Sequence, residues 1–411
     1  MTIDGVKLAV SVALHGVGVW SLVRGLPLAR RRWRECLLLA GSLVVAVGVV
    51  EVALRLLRPY ESLPRFRWIA SRRLHHVNPP SRRMFSGYVG GVPVVVETNE
   101  DGFRTRHTRA SFTSQGLRVA VLGDSFAFGA GVNEPDTFPA RLEGELQRRL
   151  DRRDVAVLNA GVISYSPRLE RIQVADVLAG YRPTLVLMLL DATDIGDDFI
   201  YGQKAERGAS PPVFPLEGET RVRHYGAVYE LLRPALAWTA ERLWYPVELA
   251  KAASGRTPAL SPNYYLNYVS FEGQPENRFF IYRHPLERTA PYFEETYRHI
   301  EATAAASQAA GARFLLVVSP RYHHWNPREC PYDWQRGAYR IDEPYQFELF
   351  RFFEQKRASA PFPIVDLLPD FRGTREFPLV FPNDPHWNPQ GHAFVARTLA
   401  DSLVQSRLLI E

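Results

Sequence analysis

The apolar positions of this chain fall into two regimes. Near the amino terminus they run on almost unbroken in "CLLLAGSLVVAVGVVEVALRLL", Cys36 to Leu57, close to the ~20 residues that a bilayer-crossing helix needs. Glu51 interrupts that run and stands four residues before Arg55, a spacing that lets the two pair on one helical face. A shorter run, Leu8 to Leu22, contains His15 and Trp20 and reads as a second span or an interfacial helix. From Leu117 onward the pattern alternates instead. "LRVAVLGD" is a buried strand stopped by glycine, "DTFPARLEGELQRRL" an amphipathic helix, and "DVAVLNA" a second strand. A helix around Arg168 to Leu178 and the strand "TLVLMLLD" follow. Later come the helix "YFEETYRHIEATAAASQAAG", closed by Gly311, and the strand "ARFLLVVSP", ended by Pro320. A helix near Tyr345 to Lys356, the short strand "FPIVDLL" and a last helix from Gln390 to about Leu403 complete the series.

Strands alternating with helices imply parallel pairing through right-handed crossovers, hence an open α/β sheet with helices on both faces. In such sheets ligands bind beyond the carboxyl ends of the strands. Ser125, Gly161 and the stretch Asp191 to Asp194 all fall at such ends. The expected organisation is a membrane anchor at 1–57, a linker and lead-in strand at 58–116, and an α/β domain at 117–405. In the linker, "VPVVVET" is β-like and Asp101-Gly102 is its expected turn. The alternation pauses at about 195–291, where an aromatic-rich insertion is either a cap over the site or a small core of its own, the second being the commoner fate of aromatics.

Composition changes this picture in one respect. The 411 residues carry a formal charge of +6, but arginines concentrate around the apolar run. Five of them lie in "RGLPLARRRWRE" alone. Flanking a greasy segment, they point to lipid headgroups rather than nucleic acid, and by the positive-inside rule they hold that loop in the cytoplasm. The domain after Leu57 is then expected outside the cytoplasm, at a bacterial inner membrane. Cys36 and Cys330 are far apart in sequence and in context, which argues against a disulfide.

The chemistry begins at "VLGDSFAFGAGV". A serine at the junction of strand and helix can present its own N–H to a developing oxyanion, but it needs a base before it attacks anything. The candidate partners are Asp384 and His386 in "FPNDPHWNPQGHAFVA". Two apart on an extended segment, they project to the same side, so the carboxylate can hold one ring nitrogen while the other meets the serine. His392 reads as a surface or capping residue. Asp191, Asp194, Asp197 and Asp198 lack the order of a calcium loop and read as a helix-starting acidic loop. His323 and His324 have no third metal ligand nearby and read as exposed.

On these residues the chain resembles the SGNH/GDSL hydrolase superfamily, in particular its membrane-anchored bacterial members, over roughly residues 95–405. "TNEDGFRT" resembles their lead-in segment, "VLGDSFAFGAGV" the nucleophile block, "LNAGVISYS" the second block and "DPHWNPQGHAFVA" the last. The resemblance implies a flavodoxin-like three-layer α/β/α sandwich with Ser125 as nucleophile and Asp384 and His386 completing the triad. It also implies that Gly161 supplies an oxyanion-hole N–H beside that of Ser125. In the third block, "LLDATDIGDD" puts Thr193 where the family offers an Asn; the hydroxyl can donate but reaches less far.

The implied activity is hydrolysis of an acyl ester, such as an O-acetyl group on an envelope glycan or a lipid, with no metal or organic cofactor. O-acetyl transfer during polysaccharide modification shares every step up to the acyl-enzyme and stays open. So does a glycan-binding protein that kept the fold without turnover.

Overall fold

The computed structural model describes residues 31–57, 59–71, 73–206, 269–339, 341, 343–406 and 408–409. The chain divides into two units, Met1–Arg65 with Val222–Ser261, and Phe66–Arg221 with Pro262–Glu411. In the first unit the principal described element is helix α1, Trp33–Leu57. None of its 25 residues is buried, and at 1.5 Å per residue it exceeds the ~30 Å of a hydrocarbon core. It is long and apolar enough to cross a membrane. Glu51 and Arg55 pair at 2.7 Å, so the one carboxylate of the run is compensated as its spacing suggested. The run from Leu8 to Leu22 lies outside the described residues.

The second unit opens with two antiparallel hairpins, β1 (Ile69–Ser71) with β2 (His75–Val77), then β3 (Arg83–Val89) with β4 (Val92–Glu97). The β-like run of the linker is thus one arm of a hairpin, and its turn is Gly90-Gly91 rather than Asp101-Gly102. The latter pair makes a separate turn that Asn99 organises, its Oδ1 accepting the N–H groups of Asp101 and Phe103. Gly102 sits there at φ +82°, where a Cβ would lie 2.4 Å from the Asn78 carbonyl oxygen. The short helix α2 (Arg109–Thr113) leads into the central sheet.

That sheet is built from β5 (Leu117–Leu122), β6 (Val155–Asn159), β7 (Leu185–Leu190), then, after the small hairpin β8 (Val269–Phe271) and β9 (Gln274–Glu276), β10 (Arg313–Val318) and β11 (Ile364–Asp366). All four pairings are parallel and the spatial order is β11-β10-β7-β5-β6. Counting only these five strands along the chain, this is the doubly wound order 2-1-3-4-5 of the flavodoxin-like fold. β6 and β7 are buried at every position, which explains why they read as continuous apolar runs.

Helices cover both faces. After the single-turn helix α3 (Ser125–Phe128) come α4 (Phe138–Leu150), α5 (Pro167–Asp176), α6 (Thr193–Glu206), α7 (Leu286–Ala309), α8 (Trp334–Tyr339), α9 (Glu348–Arg357) and α10 (Leu368–Gly373). A last hairpin, β12 (Val380–Phe381) with β13 (Asp384–Trp387), leads into α11 (Pro389–Gln405). One layer pairs α4 with α11 and another pairs α5 with α7, giving the three-layer sandwich.

The expected insertion is shorter than its sequence boundaries. Ile195 and Ile200 on α6, and Phe271, Phe279, Phe280 and Tyr282 beyond it, are buried in the main hydrophobic core. These flanks are part of the sandwich because their apolar faces close over it. Residues 207–268, with the remaining aromatics, lie outside the described residues.

Candidate active site

β5 is followed by Gly123 at φ +146°, a conformation that favours glycine, and a Cβ there would lie 2.7 Å from that of Ala127. The chain therefore turns sharply from strand into α3. Asp124 caps that helix, its Oδ1 accepting the Phe126 N–H at 2.8 Å. Ser125 is the first helical residue, one of the positions whose N–H has no acceptor within a helix.

Ser125 and His386 meet across the C-terminal edge of the sheet, with His386 Nε2 2.8 Å from Ser125 Oγ. Asp384 holds His386 twice, accepting its backbone N–H at 3.0 Å and bonding its Nδ1. With the Nδ1 proton directed at the carboxylate, Nε2 of the neutral ring is an acceptor. Ser125 Oγ also lies 3.2 Å from Asp124 Oδ2, a longer contact than the one to the imidazole. Exposure rises along the chain of groups. Ser125 is 7% exposed, and the side chains of His386 and Asp384 are 16% and 39% exposed. The dyad is delivered by β13, whose i and i+2 positions share a face, and Asn388 then caps α11 through the Gly391 N–H.

Gly161 is carried to the same edge by backbone pairing that continues past the strands, with the Val162 N–H donating to the Gly123 carbonyl at 3.0 Å. A Cβ at Gly161 would lie 2.5 Å from the Phe128 nitrogen, so only glycine lets this loop touch α3. Its N–H donates to Asn159 Oδ1 at 3.0 Å. Thr193 is different. It is fully buried, and both its N–H and its hydroxyl donate to Asp191 Oδ1, at 2.8 and 2.6 Å. The hydroxyl expected at the oxyanion is committed to a carboxylate, and charge-assisted bonds of this kind are the strong ones.

Asp191 in turn is gripped by Arg321, Nε to Oδ2 at 2.7 Å and Nη2 to Oδ1 at 2.9 Å. Burial alone would raise this carboxyl, but the Arg321 charge and these donors bring it to about 2. Arg321 lies between the rings of Phe126 and Phe279, with its guanidinium carbon 5.2 and 4.9 Å from their centroids. It thus ties the Asp191 carboxylate to the Phe126 ring of α3. Asp124 is pushed the other way, upward, by burial and then by the neighbouring Asp191.

Two expectations about histidine change, and the aspartates start a helix as expected. His392 is buried, not on the surface; its Nδ1 accepts the N–H of Phe138, the first residue of α4, at 3.1 Å, and burial holds its pKa near 3. It does cap a helix, though not its own. His323 and His324 are likewise buried, not exposed, packed against Tyr282, because the chain after β10 folds back under α9. Asp194, Asp197 and Asp198 do begin a helix, but as fully buried groups, Asp197 paired with Arg278. Among the described residues no group of three His, Cys, Asp or Glu side chains is arranged to hold a metal ion. Both cysteines are free, Cys36 exposed and Cys330 buried.

No family model matches the sequence, and no curated protein matches it. Solved structures similar to this chain include a putative lipolytic protein of the G-D-S-L family from Desulfitobacterium hafniense, at 14% identity and a TM-score of 0.34, over 69% of this chain and 97% of that one. The psychrotrophic esterase EstA from Pseudoalteromonas sp. is similar at 14% identity and a TM-score of 0.35, over 71% and 97%. A catalytic mutant of the acetylxylan esterase Axe2 from Geobacillus stearothermophilus is similar at 12% identity and 0.35, over 70% and 94%. The fold class rests on the strand order and not on these matches.

Proposed function

We propose that the chain is a serine ester hydrolase acting through Ser125, His386 and Asp384, and that α1 anchors it in a membrane. The observation that carries the reading is the line of contacts Ser125 Oγ, His386 Nε2, His386 Nδ1 and Asp384 Oδ1 at the C-terminal edge of a doubly wound sheet. Nucleophile, base and orienting carboxylate are each within reach of the next.

In the proposed reaction Ser125 Oγ attacks the acyl carbon while His386 Nε2 takes its proton, and Asp384 stabilises the imidazolium. The tetrahedral oxyanion takes the Ser125 N–H and the Gly161 N–H. The latter leaves a neutral amide oxygen, which is a lesser loss than freeing a donor from a carboxylate. Thr193 is therefore left out of the hole. His386 then protonates the departing alkoxide, and water, activated by the same imidazole, cleaves the acyl-enzyme to release the acid and restore Ser125. An O-acetylated envelope glycan or an acyl lipid suits a domain held at a membrane, with the arginines before α1 inside and the domain outside.

The test is to incubate the full chain in detergent with p-nitrophenyl acetate and with a serine-directed phosphonate, beside Ser125→Ala and His386→Ala. Turnover and labelling lost in both variants support the triad. Unchanged turnover in both would sink it. Labelling of Ser125 by the phosphonate without turnover of p-nitrophenyl acetate, with turnover restored by adding an acetyl-accepting sugar, would move the reading to acyl transfer. For topology, a reporter fused after residue 411 signals outside the cytoplasm.

A further inference from the structure

Arg104 takes no part in the proton transfers above, yet after Trp387 it is the largest fully buried side chain described. Its guanidinium bonds only to backbone carbonyls. Nη1 donates to Phe128 O at 3.1 Å and Gly129 O at 2.6 Å, and Nη2 donates to Val132 O at 2.5 Å and Val95 O at 3.3 Å. The charged group also lies 4.8 Å from the centroid of the Phe128 ring. None of these partners is a carboxylate, and burying a cation on such terms is costly. Burial lowers its pKa to about 10, which leaves it charged at neutral pH.

The carbonyls it gathers are those at the far end of the serine helix. α3 has four residues, too few to hold their shape unaided. Its own bonds are few, Phe128 N–H to Asp124 O at 2.9 Å, then the Gly129 and Ala130 N–H groups both to Ser125 O at 3.0 Å. Gly129 then reverses the chain at φ +83°. A cation at this end complements the carbonyl pole of the helix, and the planar fork of arginine reaches several acceptors in a fixed geometry. The Phe128 carbonyl also receives Asn159 Nδ2 at 3.3 Å, and the other end of that amide accepts the Gly161 N–H. The end of α3 and the loop carrying Gly161 are thus joined at one carbonyl that Arg104 holds.

We propose that Arg104 is a positioning residue for Ser125. It clamps the C-terminal end of α3 to the lead-in hairpin and the Gly129–Val132 turn, so that the serine and the Gly161 N–H keep their register. Its kinetic consequence rests on the hydrolytic reading of Ser125, but its structural consequence does not. Lysine keeps the charge and cannot reach four carbonyls at once, so Arg104→Lys separates the fork from the charge.

The experiment compares the full chain with Arg104→Lys by amide hydrogen exchange and by the second-order rate of Ser125 labelling with the phosphonate. The expected result is at least tenfold faster exchange at Gly129 and Ala130, with Leu117–Leu122 unchanged, and at least tenfold slower labelling. For a small ester, kcat falls more than KM rises. A folded Arg104→Lys chain with wild-type exchange at Gly129 and Ala130 and wild-type labelling overturns the proposal. If Arg104→Lys does not fold, the wild type decides: Gly129 and Ala130 amides protected like those of β5 support the clamp, and amides exchanging like an open loop refute it. If the wild type never reacts at Ser125, the hydrolytic reading fails while the exchange result still judges Arg104.

Discussion

His386 Nε2 lies 2.8 Å from Ser125 Oγ although 261 positions separate the two in sequence. The contact exists because β13 brings His386 to the edge where β5 delivers Ser125. His386→Ala is expected to lower kcat for an acetyl ester by about 10²- to 10⁴-fold, the range of a general base. Asp384→Asn keeps the side chain's shape but removes the charge that orients the ring. Because Asp384 is 39% exposed, water replaces part of its role, and the loss is expected at the lower end of that range. Steady-state kinetics on both variants check this.

Thr193→Val separates two roles for one hydroxyl. If that hydroxyl serves only Asp191, kcat stays within about threefold of wild type. The fold loses about 1.5–3 kcal/mol, the worth of a hydrogen bond to a charged group, while Oδ1 keeps the Thr193 N–H and Arg321 as donors. Thermal denaturation with parallel kinetics reads both quantities. A rate loss above 10²-fold at wild-type stability would return Thr193 to the oxyanion hole.

Arg321→Met leaves Asp191 as an uncompensated buried charge, with an expected cost of about 3–5 kcal/mol. Adding Asp191→Asn removes that charge and should recover part of the loss. The pH dependence follows the same pair. The Asp191 carboxyl is lowered to about 2 in the fold from its ordinary 3.8, so its contribution is present above pH ~4 and disappears as pH falls through about 2. Chemical denaturation of wild type and Arg321→Met across pH 2–5 should show that window shrink in the variant.

His392 works in a different window. Burial holds its folded pKa at about 3, against the ordinary 6.5 of a free imidazole, so the unfolded chain takes up the proton first. Stability from its neutral state is whole above pH ~6.5 and is lost as pH falls toward about 3, at ~1.4 kcal/mol per unit. His392→Asn keeps an acceptor for the Phe138 N–H and removes the titration. Its unfolding free energy should therefore fall less steeply than wild type between pH 6 and 3, measured by urea denaturation. Equal slopes would count against a buried neutral imidazole.

The parts of the fold legible in sequence are those where burial is local and continuous. β5, β6, β7 and β10 announce themselves because each is apolar along nearly its whole length, and α4 because its apolar positions recur on one face. The flanks of the insertion are not legible because Ile195, Phe271 and Phe280 give no local sign of which core receives them. The burial of His323, His324 and His392 is hidden for the same reason. A histidine's burial is decided by elements that are remote in sequence. Arg104 lies in the lead-in stretch "TNEDGFRT", but nothing local shows that it reaches α3, and Arg321 lies in no such stretch.

By itself the sequence determined the order of the five central strands, the glycine-stopped strand before Ser125 and the i, i+2 spacing of Asp384 and His386. These follow from backbone sterics and side-chain periodicity, which act over a few residues. Only the tertiary structure decided that β13 faces α3, that Arg104 closes on the end of that helix, and that the Thr193 hydroxyl belongs to Asp191. Which acceptor a hydroxyl takes depends on what the fold places within its reach, and for Thr193 that is the carboxylate held in place by Arg321.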